Sequence, residues 1–305
     1  MIVVVCTQAG GPEVLLSADW PEPVPGPTEA VVRLAAANVN PTDLGAREGH
    51  YPPGLDIVGP PYILGWDLAG EVTAVGDQVA GCRVGDQVVG MIPWYAAGGR
   101  YGTYAELVLL QAQWLVARPD GLDPVTAATV PLNALTARQA LARLDAPAGG
   151  EILITGASGG VGSFAVQLAV RGGLRVTAQA GTADDDWVAS LGAERVLSRD
   201  APVSELGRFS HVLDAVPLGA AVFDAIADGG SVISTRGVPE RAGRGIRQAP
   251  MLIEQDTAAL RELVKAVAVG ELRTRVAQTL PLRDAARAHR LTAQAGRHGK
   301  VVLTP

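Results

Sequence analysis

The strongest chemical signal in this chain is a glycine-rich turn. The apolar run Glu151-Ile-Leu-Ile-Thr155 reads as a buried strand, and it leads through Gly156-Ala-Ser-Gly-Gly-Val-Gly162 into helix-favouring sequence. A pyrophosphate is bound by such an arrangement, because the first amides of a helix have no partners inside it and point outward, and missing side chains let the backbone come close. Ala157 takes the first position of the fingerprint. Gly159 and Gly162 are expected to serve close approach and helix packing, with Ser158, Gly160 and Val161 supplying backbone between them. An isolated glycine turn carries little weight; one that leaves a strand and opens a helix inside an alternating region predicts a dinucleotide site rather than a purely structural turn.

The second strand of such a unit shows which dinucleotide. A site for NAD places a carboxylate roughly 20 residues past the turn, on the ribose 2′-hydroxyl. This chain has Ala178-Gln-Ala-Gly-Thr182 there. A 2′-phosphate would meet no repulsion from Ala180, Gly181 and Thr182, and could be held by the Thr182 hydroxyl and by Arg199. NADPH is the expected cofactor. The run Asp184-Asp-Asp186 would argue for NADH if it faced the ribose, but acidic residues there are expected instead to cap the following helix.

Other reactive side chains are few. Cys6 and Cys82 are the only cysteines, too few for a disulfide framework or a thiolate cage, and the histidines His50, His211, His289 and His298 are scattered. His289 reads as a packed or surface residue in an Ala-rich helix, and no Ser/His/Asp or Cys/His set is discernible. Trp66, Trp94 and Tyr95 could wall a flat acceptor or simply pack in a core.

These groups need a scaffold. A chain of 305 residues is the size of two domains. The first third reads as strands at 3–6, 30–36, 70–75, 87–91 and 103–110, broken by Pro- and Gly-rich stretches, which predicts an irregular β-barrel. From 151 onward, strands at 151–155, 175–178, 195–197, 211–214 and 231–235 alternate with helices at 162–171 and 185–191, which predicts a parallel sheet covered on both faces. Asp256 is expected to cap another helix, and a helix at 284–291 and a strand at 300–303 close the chain. A net charge of −6 offers no grip on nucleic acid or anionic lipid. No apolar run approaches the roughly 20 residues that cross a bilayer, and no signal pattern precedes the first strand, so a cytoplasmic protein is expected.

Several further blocks accompany the turn: Gly10-Gly-Pro-Glu-Val14, Asn38-Val-Asn-Pro-Thr-Asp43, Gly65-Trp-Asp-Leu-Ala-Gly-Glu71, Arg83-Val-Gly-Asp86, Pro131-Leu-Asn-Ala-Leu-Thr-Ala137 and Gly299-Lys-Val-Val302. In order and spacing the chain resembles the zinc-free quinone oxidoreductase branch of the medium-chain dehydrogenase/reductase family. The resemblance implies an α/β fold, with a GroES-like β-barrel catalytic domain at 1–121 and 282–305 and a Rossmann doubly wound parallel-sheet domain at 122–281. Where zinc members of the family carry Cys, His and Cys, the resemblance matches Asn40, Trp66 and approximately Leu132, none of which can replace a thiolate or imidazole ligand.

Without a metal to polarise it, the acceptor must be electron-poor and conjugated. The resemblance therefore implies an NADPH-dependent quinone oxidoreductase; a reductase of alkenals, enones or enoyl double bonds is the alternative, and an NADPH-binding protein with little catalysis the reading of another class. Asn40, Tyr51 and Asp43 form the implied catalytic set, with Tyr51 either near the acceptor or structural and with Asp43 and Asp67 bracing the site. Asn40 and Thr136 would meet the nicotinamide end, Thr235, Arg236 and Gly237 would lie against it, and Ala215 and Val216 would line the adenosine side. A homodimer is implied as well, through an edge segment at 245–252.

Overall fold

The computed structural model describes residues 1–237 and 243–305. In chain order the elements are β1 (Ile2–Cys6), β2 (Leu15–Asp19), β3 (Glu29–Val39), α1 (Pro41–Arg47), β4 (Tyr62–Ile63), β5 (Asp67–Val75), β6 (Gln87–Met91), β7 (Leu107–Gln111), β8 (Leu115–Ala117), α2 (Pro124–Ala128), α3 (Pro131–Leu144) and β9 (Glu151–Thr155). There follow α4 (Gly160–Arg171), β10 (Arg175–Ala180), α5 (Asp185–Ser190), β11 (Arg195–Ser198), β12 (Phe209–Asp214), β13 (Ile226–Ser234), β14 (Arg247–Pro250), α6 (Thr257–Ala268), β15 (Val276–Pro281), α7 (Ala285–Ala293) and β16 (Lys300–Thr304). They form two compact units, residues 1–132 with 254–271 and 275–305, and residues 133–253 with 272–274.

In the first unit, β15, β16, β3, β5, β6 and β8 follow one another in a sheet in which β7 also pairs with β3, and a smaller sheet runs β2-β1-β4. Pairing is antiparallel except between β15 and β16. The long strand β3 buries Val31, Val32, Leu34, Ala36 and Val39, and so serves three neighbours at once. At its far end the sequence turns polar while staying buried, and Asn38 and Asn40 enter the interior there.

The second unit carries six parallel strands in the order β11-β10-β9-β12-β13-β14. Ile152, Leu153 and Ile154 of β9 are fully buried, as a strand covered on both faces requires. Leu153 packs with Phe209, Val212, Val222 and Phe223 in one apolar cluster. Succession reverses between β9 and β12, which makes their carboxyl ends a topological switch point, the place where ligands bind in open α/β sheets.

The strands β2, β4, β8 and β15 were not anticipated from sequence. β2 and β15 are mostly exposed along their length, so no apolar alternation marks them. Residues 254–271, which the sequence pattern places with the nucleotide unit, group with the barrel: Thr257 Oγ1 donates to the Gln113 carbonyl at 2.8 Å and Gln255 Nε2 to the Met91 carbonyl at 2.6 Å. Among the described residues no helix is long and apolar enough to cross a membrane.

Candidate functional site

Every residue that the sequence singles out for the nucleotide, apart from Asn40, Thr136 and Ala180, lies beyond the carboxyl end of a strand of the parallel sheet. Residues 156–162 follow β9, Gly181 and Thr182 follow β10, Arg199 follows β11, Ala215 and Val216 follow β12, and Thr235 to Gly237 follow β13; Ala180 is the last residue of β10. Asn40 belongs to the barrel unit, and Thr136 is buried within α3.

The turn divides its labour among three glycines. Gly156 has φ +60°, and a Cβ on it would stand 2.5 Å from Val216 Cγ1, so it both makes the bend and brings the β12 turn close. Gly162 packs the helix on the turn, since its Cβ would lie 2.2 Å from the Gly156 carbonyl oxygen. Gly159 is the N-cap of α4, has ordinary extended dihedrals, is exposed, and would meet only the Gly156 oxygen, at 3.2 Å. Here the sequence reading missed a residue. The spacing of Gly156, Gly159 and Gly162 was the available signal, and the bending glycine precedes Ala157.

Asp214, buried at the end of β12, ties this rim together. Its Oδ1 accepts from Thr155 Oγ1 at 2.7 Å, and its Oδ2 lies 3.2 Å from Ser234 Oγ, so the ends of β9, β12 and β13 share one carboxylate. Burial raises its pKa against those hydrogen bonds. At the other side, the Arg199 guanidinium lies over Gly181, where a Cβ would stand 3.4 Å from Cζ. Its only described ion pair is a long one, 4.0 Å to Asp200. The expected cap from the acidic run is not formed: Asp184 makes no side-chain cap hydrogen bond, although Asp185 and Asp186 occupy the first turn of α5, where negative charge is favourable.

The barrel unit holds a second set of residues, knitted together without exposure to water. Asp67 accepts on Oδ2 from Asn38 Nδ2 (3.0 Å) and Asn40 Nδ2 (2.8 Å), and on Oδ1 from the Leu132 amide (2.8 Å). Lys300 Nζ donates to Asn40 Oδ1 at 2.9 Å. Because an ammonium only donates, this contact fixes the Asn40 amide with its oxygen toward Lys300 and its nitrogen toward Asp67. Asp43, on the first turn of α1, accepts from the Asn40 amide at 2.7 Å and holds Asn40 at the helix entrance, where Pro41 sets the first helical residue. Asn40, Asp43 and Asp67 are thus joined by hydrogen bonds. Lys300 was missed, because only its place in a closing strand was visible; it is one of two lysines in the chain, and it is 4% exposed.

Burial pushes the Asp67 carboxyl up to about 6, opposed chiefly by Asn38 and Asn40, and raises Asp43 well above the usual range. Burial lowers Lys300 to about 8, opposed by the Asp67 charge. An unfolded lysine keeps its proton to roughly pH 10.4, so between the two values the unfolded chain binds more protons and stability rises with pH. Unfolding midpoints of the wild-type protein should therefore gain on those of Lys300→Met as pH rises from about 8 toward about 10. Parallel profiles would show that Lys300 titrates normally.

An aromatic group adjoins this network. Trp66 and Trp94 are fully buried with centroids 5.3 Å apart, and Tyr95 stands edge-on to both, at 5.2 and 5.6 Å. Only Tyr51 and Tyr95 of this group are partly exposed, so they, rather than the tryptophans, offer ring surface. Tyr62 Oη lies 3.2 Å from the Ala46 carbonyl, which can only accept, and 2.7 Å from Tyr51 Oη. Tyr62 therefore donates to Ala46 and accepts from Tyr51, whose hydroxyl proton is engaged within the fold. Among the described residues, no three His, Cys, Asp or Glu side chains are grouped as a metal site.

An antiparallel barrel unit and a six-stranded parallel sheet with a glycine turn at its switch point define an alcohol dehydrogenase-like, two-domain α/β protein. Residues 26–120 match the family described as alcohol dehydrogenase GroES-like domain, and residues 191–303 the family described as zinc-binding dehydrogenase. A quinone oxidoreductase of Pseudomonas aeruginosa is 35% identical over 326 aligned positions that cover 97% of each chain. A chloroplastic quinone-oxidoreductase homologue of Spinacia oleracea is 39% identical over 63% of this chain, which spans 59% of that protein. Among solved structures, a quinone oxidoreductase from Coxiella burnetii superposes with a TM-score of 0.87 at 27% identity, covering 100% of this chain and 99% of the other. A mycobacterial protein in complex with NADPH superposes with 0.83 at 29% identity over 100% of both. The chain belongs to the quinone oxidoreductase branch of the medium-chain dehydrogenase/reductase family, whose members are NAD(P)-binding oxidoreductases.

Proposed function

We propose that this protein is an NADPH-dependent reductase of quinones that works without a metal ion, and the observation that carries the reading is the Arg199 guanidinium lying over Gly181 beside a glycine turn whose Gly159 is exposed. Both features fit the group. The rim beyond β10 offers the Arg199 guanidinium, which suits a 2′-phosphate, and the α4 N-terminus with a bare Gly159 suits a pyrophosphate. When bound, the nicotinamide supplies a hydride, which with one proton converts a quinone to the hydroquinone.

The residues of this chain bind and orient. The amides of Gly159, Gly160 and Val161, with Ala157, Ser158 and Gly162, would cradle the pyrophosphate. Ala180, Gly181, Thr182 and Arg199 would hold the phosphorylated ribose, and the Asp214-braced turns at Ala215–Val216 and Thr235–Gly237 the rest of the nucleotide. Tyr51 and Tyr95 would give a planar acceptor two ring surfaces, with Tyr51 in a packing role while its hydroxyl stays on Tyr62. Asn40 and Thr136 would meet the nicotinamide end, with Asp43 and Asp67 fixing Asn40. The reacting geometry so imposed can be worth on the order of 7 to 11 kcal/mol of the barrier. A homodimer through the outer edge of β14 is the proposed assembly, since among the described residues that strand pairs with β13 alone.

Reduction of conjugated alkenals is the second reading, because an NADPH-dependent alkenal/one oxidoreductase of Arabidopsis thaliana is 31% identical over 76% of this chain. Turnover of NADPH against a panel of quinones and alkenals separates the two: faster quinone reduction is expected, and exclusive alkenal reduction would replace the first reading. Arg199→Ala should weaken NADPH about 10-fold or more, the scale of one charge-assisted hydrogen bond, and NADH by no more than about twofold. Equal losses for both nucleotides would remove Arg199 from the phosphate site.

A further inference from the structure

Behind Asn40 runs a second line of polar side chains for which the reaction has no evident use. Arg47, Tyr104 and His289 are all buried, and they come from α1, from the segment before β7, and from α7. Arg47 Nη1 stands 3.1 Å from His289 Nδ1, and His289 Nε2 stands 3.1 Å from the Tyr104 hydroxyl. Arg47 is held in place by donating Nε to the Gly10 carbonyl at 2.9 Å and by pairing with Glu48.

The donors and acceptors have one consistent assignment. A guanidinium only donates and does not lose its proton, so His289 Nδ1 accepts and the ring is the neutral Nε2–H tautomer. Burial, reinforced by the Arg47 charge, lowers the His289 pKa to about 3, which keeps it neutral. Nε2–H then donates to Tyr104, whose own hydroxyl hydrogen must point elsewhere. That hydrogen is one loose end in this interior, and Asp43 Oδ1, which is buried and makes no hydrogen bond among the described residues, is another. The Asp43 charge is among the causes, after burial, that raise the Tyr104 pKa, which makes the two groups neighbours. The other oxygen of Asp43 holds the Asn40 amide.

We propose that His289 is a positioning residue for Asn40, acting through a one-way hydrogen-bond relay from Arg47 through His289 and Tyr104 to Asp43. The relay makes α7 a structural guide for the entrance of α1, although 249 positions separate His289 from Asn40 in the chain. It rests on the reading of Asn40 as part of the reacting site, and two of its tests do not depend on activity.

The first test is the 15N spectrum of His289 in the wild-type chain at neutral pH: Nδ1 should be bare and Nε2 protonated, and the opposite tautomer would overturn the relay. The second compares Tyr104→Phe and His289→Leu, which break it, with His289→Gln, whose amide oxygen can accept from Arg47 while its nitrogen donates to Tyr104. The Asn40 amide resonance should move in the first two and return in the third. In turnover, kcat should fall about tenfold in the first two with little change in the NADPH KM, recover in His289→Gln, and fall no further in the Tyr104/His289 double variant. An unmoved Asn40 resonance in Tyr104→Phe, or additive losses in the double variant, would sink the proposal. Should no acceptor be turned over at all, the proposed reaction fails while the tautomer and the Asn40 resonance still decide the relay.

Discussion

Gly159→Leu should lower NADPH affinity by on the order of 100-fold, about 2.7 kcal/mol, while leaving the unfolding midpoint within a few degrees of the wild type. The expectation follows from where this glycine sits. Its dihedrals are ordinary, and a Cβ meets only one backbone oxygen at 3.2 Å, so the fold can accommodate a side chain. It is also the exposed N-cap of α4, so that side chain fills the space in front of the unpaired amides. Gly162→Ala should instead lower stability. Its added methyl would lie 2.2 Å from the Gly156 oxygen, and the helix must move off the turn, at a cost of about 1–3 kcal/mol or more. Titration calorimetry and thermal unfolding on both variants check this. Undiminished NADPH binding by Gly159→Leu would place the pyrophosphate elsewhere.

The second large effect concerns stability. Asp67→Leu should destabilise the protein by about 3–5 kcal/mol, because a buried network loses the one group that accepts for several donors. Asn40 Nδ2 and the Leu132 amide would lose this acceptor away from water, Asn38 Nδ2 would be left with Asn40 Oδ1, and the buried Lys300 would lose a neighbouring negative charge. Leucine restores the bulk but none of these contacts. The urea midpoint reports the loss, and a shift no larger than that of an exposed Asp→Leu change elsewhere on the surface would show that the network is dispensable. The barrel unit's transition is read separately from the parallel-sheet unit's, since two units need not unfold together.

Much of the strand–turn–helix rim was legible because its signals are local. A strand, a glycine turn and a helix lie next to each other in sequence, and the absent carboxylate near Gly181 could be read at one position. Gly156 escaped because its role depends on φ and on Val216, a residue from another strand. The barrel unit was less legible. Its network is assembled from Asn38 and Asn40 on one strand, Asp67 on a second and Lys300 at the far end of the chain, and nothing in the spacing of these residues shows that they meet. His289 looked like one more polar residue in an Ala-rich helix, since only its partners from α1 and from the segment around Tyr104 distinguish it. The tryptophans suggested a wall for an acceptor, but burial of Trp66 and Trp94 leaves that surface to Tyr51 and Tyr95.

The most direct measurement is a stopped-flow comparison of NADPH deuterated at one or the other face of C4, reducing a quinone after exhaustive treatment with a chelator. A kinetic isotope effect for one deuterated form only, at a rate that the chelator leaves unchanged, is the predicted result. Activity that disappears with the chelator and returns with added zinc, or no NADPH oxidation with any quinone, would contradict it.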